Sequence, residues 1–161
     1  IKDSTLELEL PAIRQLRNIL VHIVRNALAH GIESPTERRA IGKPLMGTLS
    51  ISALEVGTWI QVKVEDDGQG LDVQKLREGA VAKELMTKER AESASKAELL
   101  ALLFTPGFTT TEEVNVTAGR GVGLDAVKEM VEQLQGHVCL TTEKGRGTTV
   151  TICLPARLPP E

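Results

Sequence analysis

Seven of the fourteen glycines fall in three short G-x-G clusters: Gly68/Gly70, Gly119/Gly121/Gly123 and Gly145/Gly147. Glycine accepts positive φ and lets a ligand or another strand of backbone come close. A single such cluster is an ordinary turn. Three of them, each where an apolar-patterned segment ends or begins, point to a phosphate or nucleotide site. The second cluster runs into a helical pattern at Val122, which sets backbone N–H groups and the positive helix end where an anion could sit.

Around these clusters the hydrophobic pattern predicts short elements. Ile13, Leu16, Leu20, Ile23, Val24 and Ala27 recur at helical spacing, so residues 11–31 read as one helix, with Pro11 in its first turn and Gly31 at its end. Ser34-Pro35-Thr36-Glu37 is a capping box that opens a short second helix, stopped by Gly42-Lys43-Pro44. Leu49–Ala53 and Trp59–Val64 alternate as a strand pair turning at Gly57. Asp72 caps a helix to about Lys83, and Ser95-Lys96-Ala97-Glu98 opens another to about Leu103. Residues 104–120 carry no period. Val122–Leu134 reads as a helix stopped by Gly136. Val138–Thr142 and Thr148–Leu154 form a last hairpin whose register could bring Cys139 near Cys153. Helices and strands do not alternate, so a Rossmann sheet fits poorly. The expectation is an α+β fold with helices on one face of a small, mostly antiparallel sheet. It occupies residues 1–155, with 156–161 as a proline-marked exit linker.

Composition excludes several classes. The 161 residues, 41% hydrophobic and 25% charged, suit one folded domain. A formal charge of −3 leaves no basic excess for a nucleic-acid backbone, and Trp59, Phe104 and Phe108 are too few aromatics for base stacking. No apolar run approaches the roughly 20 residues of a membrane span, and no signal peptide is seen. A start at Ile1 suggests a piece of a longer protein. Cys139 and Cys153 make no disulfide framework and fit a reducing cytosol. With His137 alone beside them and no C-x-x-C pair, they do not suggest zinc. Known phosphate motifs fail: Pro44 follows Gly42-Lys43, Leu124 breaks a G-x-G-x-x-G, and no protein-kinase set is present.

Polar residues are distributed less ordinarily. His22, Asn26 and His30 recur at i, i+4, i+8 and form one stripe on the first helix, opposite Ile13, Leu16, Leu20, Val24 and Ala27. Asn and His are poor helix formers, so stability does not explain them. Asp66 ends a strand and opens the first glycine cluster.

Five ordered motifs resemble the boxes of the GHKL ATPase superfamily, which includes histidine kinases, type II topoisomerase ATPases, MutL proteins and heat-shock chaperone ATPases. They are His22-x-x-x-Asn26-Ala27, Asp66-Asp67-Gly68-Gln69-Gly70, Phe104–Phe108, Gly119-Arg120-Gly121-Val122-Gly123-Leu124 and Gly145-Arg146-Gly147-Thr148. They cover about residues 6–155. The tracts 20–33, 104–110 and 121–128 look most like the ATP-binding catalytic domain of CheA-type chemotaxis kinases.

The resemblance implies a Bergerat-type two-layer α/β sandwich that binds Mg-ATP and passes the γ-phosphoryl group to a histidine on a separate acceptor domain. It implies that Asn26 holds Mg²⁺, that His22 faces the γ-phosphate, and that His30 and Lys75 contact phosphate. Asp66 would accept from the adenine amino group, with Thr148 in support and Gly68 and Gly70 leaving room. Gly119 and Gly121 would hinge a lid over residues 104–120 and contact phosphate, and Gly123 would help bind the nucleotide. The implied partners are the acceptor domain, of the same or a partner chain, and a response regulator and coupling protein in the full-length kinase. That kinase would be a cytoplasmic homodimer, and the isolated domain a monomer. Nucleic acid and direct membrane insertion are not expected. One position departs from the pattern: CheA-type proteins usually carry Asp where this chain has Ala29. That leaves open an ATP-sensing module with little catalysis. A gyrase- or chaperone-type ATPase is the third reading.

Overall fold

The computed structural model describes residues 10–108 and 123–156. Four strands form one antiparallel sheet in the order β1-β2-β4-β3: β1 (Leu49–Val56), β2 (Trp59–Asp66), β3 (His137–Glu143) and β4 (Gly147–Pro155). The helices are α1 (Leu10–Asn26), α2 (Pro35–Ala40), α3 (Val73–Ala82), α4 (Lys88–Ser93), α5 (Lys96–Ala101) and α6 (Leu124–Gln133). This is the expected α+β fold.

Alternation along the strands makes it two-layered. Ile60, Val62 and Val64 of β2, with Val150, Ile152 and Leu154 of β4, point to one face and are buried. Leu76, Ala80, Leu99, Leu100, Val127 and Val131 from α3, α5 and α6 close over them. The opposite face carries Lys63, Glu65, Thr149 and Thr151, of which Glu65 is exposed and the others half-buried. Ile152 is fully buried at the centre of this layer, and a large-to-small change there costs about 2–5 kcal/mol.

Local chemistry sets the helix starts. Ser34 and Ser95 each complete a reciprocal capping box, with Glu37 and Glu98. Asp72 accepts from the amides of Gln74 and Lys75 and caps α3. The element α4, absent from the sequence reading, is capped by Thr87.

One expectation, the first helix, needs correction, and two others are refined or fall outside the described residues. The first helix does reach Gly31, but its last turn, Ala27–Gly31, is π-helical, with the Ile32 amide donating to the Ala27 carbonyl at 2.8 Å. Its core-facing stripe is Ala12, Ile19, Ile23 and Ala27, whereas Ile13 is 47% exposed and Leu16, Leu20 and Val24 are half-buried. In the last hairpin Cys139 opposes Thr151 and Cys153 opposes His137, so the two cysteines are diagonal neighbours, and both are free. The expected lid falls mostly on residues 109–122, outside the described residues. Its described start is packed: Phe108 is buried, with the Lys83 ammonium 5.6 Å from its ring centre. Of the expected linker only Ala156 is described.

Candidate functional site

Three segments distant in sequence meet at one end of the sheet: the π turn closing the first helix, the loop Asp66–Leu71 after β2, and the β3–β4 turn. Asp66 is the last residue of β2 and pairs with Leu49 on one side and Thr148 on the other. Its Oδ1 accepts the Gly68 amide at 2.9 Å, and the nearby Thr148 amide also favours the ionised carboxylate. Burial pushes this carboxyl above the usual carboxylate range, although those two amides and Lys43 pull the other way. A half-buried carboxylate that retains accepting capacity is suited to read a donor group on a ligand.

Glycine makes the meeting possible. A Cβ built on Gly31 would sit 3.6 Å from both Asp66 carboxylate oxygens, in ordinary contact, so the helix end lies directly beside the carboxylate. A Cβ on Gly68 would collide with the Gly31 carbonyl, and one on Gly147, where φ is +115°, with the Asp66 carbonyl. Gly70, at φ +65°, lies against the Glu143 carbonyl.

Hydrogen bonds hold the three segments together. The Gln69 amide donates to the Gly31 carbonyl at 2.8 Å, and Gln69 Nε2 to the His30 carbonyl at 2.7 Å. Gly145 N–H reaches the Gln69 carbonyl at 2.6 Å. Buried Thr142 accepts the Leu71 amide at 2.8 Å, donates to the Gly147 carbonyl at 2.9 Å, and lies 3.1 Å from the Thr148 hydroxyl.

The expected site residues are therefore brought together in part. His22 and Asn26 are half-buried and His30 is exposed, on the helix that delivers Gly31 to Asp66. Gly68 and Thr148 flank Asp66, and Gly70 lies against the Glu143 and Gly147 carbonyls. Lys75 is exposed on the first turn of α3, beside the Asp72–Lys144 ion pair of 2.6 Å, and its side chain takes no part in the Asp66 network. Gly123 is the N-cap of α6. Gly119 and Gly121 lie outside the described residues.

Sequence reasoning missed Gly31 as the neighbour of Asp66, Thr142 as the hub of the turn, and a buried ionic cluster around Arg38. Of these only the turn that Thr142 organises had a signal, the third glycine cluster at Gly145/Gly147. A groove of about 800 Å³ lined by Ile13, Leu16, Leu20, Val24 and Ile51 runs along another side of α1 and contains none of the expected site residues. Among the described residues, no group of three or more His, Cys, Asp or Glu side chains could hold a metal, and no helix is long and apolar enough to cross a membrane.

Comparison with known proteins gives the family. The family described as histidine kinase-, DNA gyrase B-, and HSP90-like ATPase matches residues 13–158. A gliding motility regulatory protein of Myxococcus xanthus is 40% identical over 98% of this chain and 20% of its own length. The sensor histidine kinase CheAY of Helicobacter pylori is 39% identical over 98% of the chain and 20% of its own. The chemotaxis protein CheA of Bacillus subtilis is 38% identical over 94% and 23%. The chain thus spans about a fifth of the length of these relatives. Among solved structures, the catalytic domain of histidine kinase ThkA superposes with a TM-score of 0.54 at 19% identity, over 89% of this chain and 68% of that one. A blue-light activated histidine kinase of Erythrobacter litoralis gives 0.55 at 16%, over 95% and 33%. At these identities the structures speak for the fold alone.

Proposed function

Since the chain belongs to the histidine kinase-, DNA gyrase B-, and HSP90-like ATPase family, we propose that it is the ATP-binding catalytic domain of a CheA-type chemotaxis histidine kinase. Residues 1–155 form the domain and 156–161 lead out of it. The observation that carries the reading is the Asp66 carboxylate, half-buried between the Gly68 and Thr148 amides and facing the helix end at Gly31. An adenine amino group offers the donor it lacks, and Thr148 supports that contact. Gly68 and Gly70 keep the base against backbone.

Asn26 supplies a single amide oxygen on the helix that ends beside Asp66. That donor set fits Mg²⁺, which takes one or two protein oxygens, substrate phosphates and waters. Bound there with the nucleotide, Mg²⁺ would neutralise phosphate charge. His22, one turn earlier, faces the γ-phosphate and orients it, or holds the proton of an incoming nucleophile at its ring nitrogen. His30 and Lys75 donate to phosphate oxygens, and Gly119, Gly121 and Gly123 lend backbone amides. The catalytic contribution is positioning and charge neutralisation, since phosphoryl transfer leaves the protein little covalent chemistry. The acceptor is an imidazole on another domain, of the same or a partner chain. In the whole protein, a cytoplasmic homodimer, a response regulator and a coupling protein complete the pathway.

Ala29, exposed in the π turn, favours a second reading: an ATP-sensing module with little transfer. One assay separates the two. With Mg-ATP and the histidine-bearing acceptor domain of the full-length protein, acid-labile phosphohistidine is expected on the acceptor, formed much faster than free phosphate. Asn26→Ala is expected to abolish it with an unchanged circular dichroism spectrum. Undiminished transfer by Asn26→Ala would remove Asn26 as metal ligand. Brisk hydrolysis by the chain alone would replace the kinase reading with an ATPase.

A further inference from the structure

Arg38 is a charged side chain with no exposed surface, on the six-residue helix α2. Its Nε donates to the Pro44 carbonyl at 2.6 Å. Its Nη1 reaches Glu33 Oε2 at 3.0 Å and Asp67 Oδ1 at 3.1 Å, and its Nη2 reaches Asp67 Oδ2 at 2.9 Å. Lys43 completes the cluster, donating to Glu33 Oε1 at 2.7 Å. A buried ion cluster is weak grounds for stability, because apolar packing of the same volume often serves as well or better. What this one touches besides itself is more informative. Lys43 Nζ also donates to two main-chain carbonyls, Asp67 at 2.8 Å and Gly68 at 2.7 Å, and Arg38 Nη1 shares the first at 3.3 Å.

Those carbonyls belong to the peptide units that join Asp67 to Gly68 and Gly68 to Gln69. A trans peptide unit points its C=O and its N–H in opposite directions. The unit whose carbonyl is held by Lys43 and Arg38 ends in the Gly68 N–H, which donates to Asp66 Oδ1 at 2.9 Å. The unit whose carbonyl is held by Lys43 alone ends in the Gln69 N–H, which donates to the Gly31 carbonyl at 2.8 Å. One ammonium therefore fixes the rotation of both peptide planes. One plane aims the Asp66 carboxylate, and the other ties the Asp66 loop to the helix bearing Asn26 and His30. Asp67, clamped by Arg38 and accepting the Thr48 amide at 2.9 Å, anchors the far side.

We infer that Lys43, held by Glu33 and Arg38, is a positioning residue for base selection: it never touches nucleotide but sets the direction in which Asp66 presents its free acceptor. This rests on Asp66 reading the adenine amino group. If the peptide planes turn, Asp66 loses one amide donor and its aim. Adenine then loses its partner, while guanine, which opposes a carbonyl to the carboxylate, loses nothing.

The test is calorimetric titration of the chain with Mg-ATP and Mg-GTP. In Lys43→Met, which keeps the aliphatic stem, the ATP dissociation constant is expected to rise about tenfold. The GTP constant is expected to stay within twofold of the parent. Lys43→Arg, which can still donate to two carbonyls, is expected to restore most of the ATP preference. Asp66→Asn serves as the control for the underlying reading and is expected to erase that preference. If Asp66→Asn leaves the preference intact, the adenine reading fails. If Asp66→Asn erases it while Lys43→Met leaves it intact, or weakens both nucleotides equally, the positioning role is overturned. If Lys43→Met does not fold, Glu33→Gln, which removes the charge holding Lys43, is read in the same way.

Discussion

Two glycines beside one carboxylate have opposite meanings. At Gly31 a methyl group would rest in ordinary contact with the Asp66 oxygens, 3.6 Å away, and displace nothing. At Gly68 it would strike the Gly31 carbonyl. Gly31→Ala is therefore expected to fold with a thermal midpoint close to the parent's while losing adenine-nucleotide affinity, because the methyl crowds the Asp66 oxygens that would accept the base. Gly68→Ala is expected to destabilise by about 1–3 kcal/mol, as overpacking against fixed backbone does. Thermal melts and nucleotide titration of both variants check this; equal behaviour of the pair would contradict the geometry. The sequence made Gly68 suspect through its cluster but left Gly31 as a helix stop, since a contact across 35 positions leaves no local trace. The candidate ligands His22, Asn26 and His30 were legible because polar residues of poor helix propensity recur on one stripe. Arg38 was not, for a charge on a short helix reads as solvated until its burial is seen.

Helix starts were readable at the scale of elements, because caps are local chemistry. Ser34 and Ser95 announce α2 and α5, and both boxes form. Ser95→Ala is expected to cost about 1 kcal/mol, measured by denaturant unfolding. In α5, hydrogen bonds from the Ser95 amide and hydroxyl, with help from Arg90, hold the Glu98 carboxyl down to about 2. A depressed folded-state value contributes stability that is whole above the ordinary glutamate range and lost as pH falls toward that value. The α5 cap is thus expected to survive mild acid, seen as retained amide protection of Leu99 at pH 4. The helix α4 went unread because only Ala91 of its six residues is buried, so it has no apolar period. The π turn has no sequence grammar at all. The two apolar stripes of α1 look alike in sequence, and only packing distinguishes the core stripe of Ile19 and Ile23 from the half-exposed one.

Over the whole molecule, the sheet and its covering helices followed from alternation and periodicity, but the convergence of three segments on Asp66 depended on long-range hydrogen bonds such as Gln69 to Gly31 and Leu71 to Thr142. That convergence sets two adjacent carboxylates against each other. Burial raises the Asp66 carboxyl above its ordinary value. Burial also works against Asp67, but the Thr48 amide, Arg38 and Lys43 outweigh it, and that carboxyl is held below its ordinary value. Stability rises with pH where the unfolded chain binds more protons than the folded one, and falls where it binds fewer. For Asp67 the folded form releases its proton first, so its contribution is whole above the ordinary aspartate range and is lost as pH falls through the depressed value. For Asp66 the folded form holds its proton longer. Stability therefore declines as pH rises from the ordinary value through the raised one, and the ionised carboxylate remains a cost at neutral pH. Denaturant unfolding from pH 3 to pH 8 is expected to show opposite trends. The parent's advantage over Asp67→Asn should grow toward neutral pH, while its advantage over Asp66→Asn should shrink. Parallel trends would mean that the two carboxylates share one environment. Opposite trends are what a site requires when one residue binds the loop to the fold and its neighbour keeps an acceptor for a ligand.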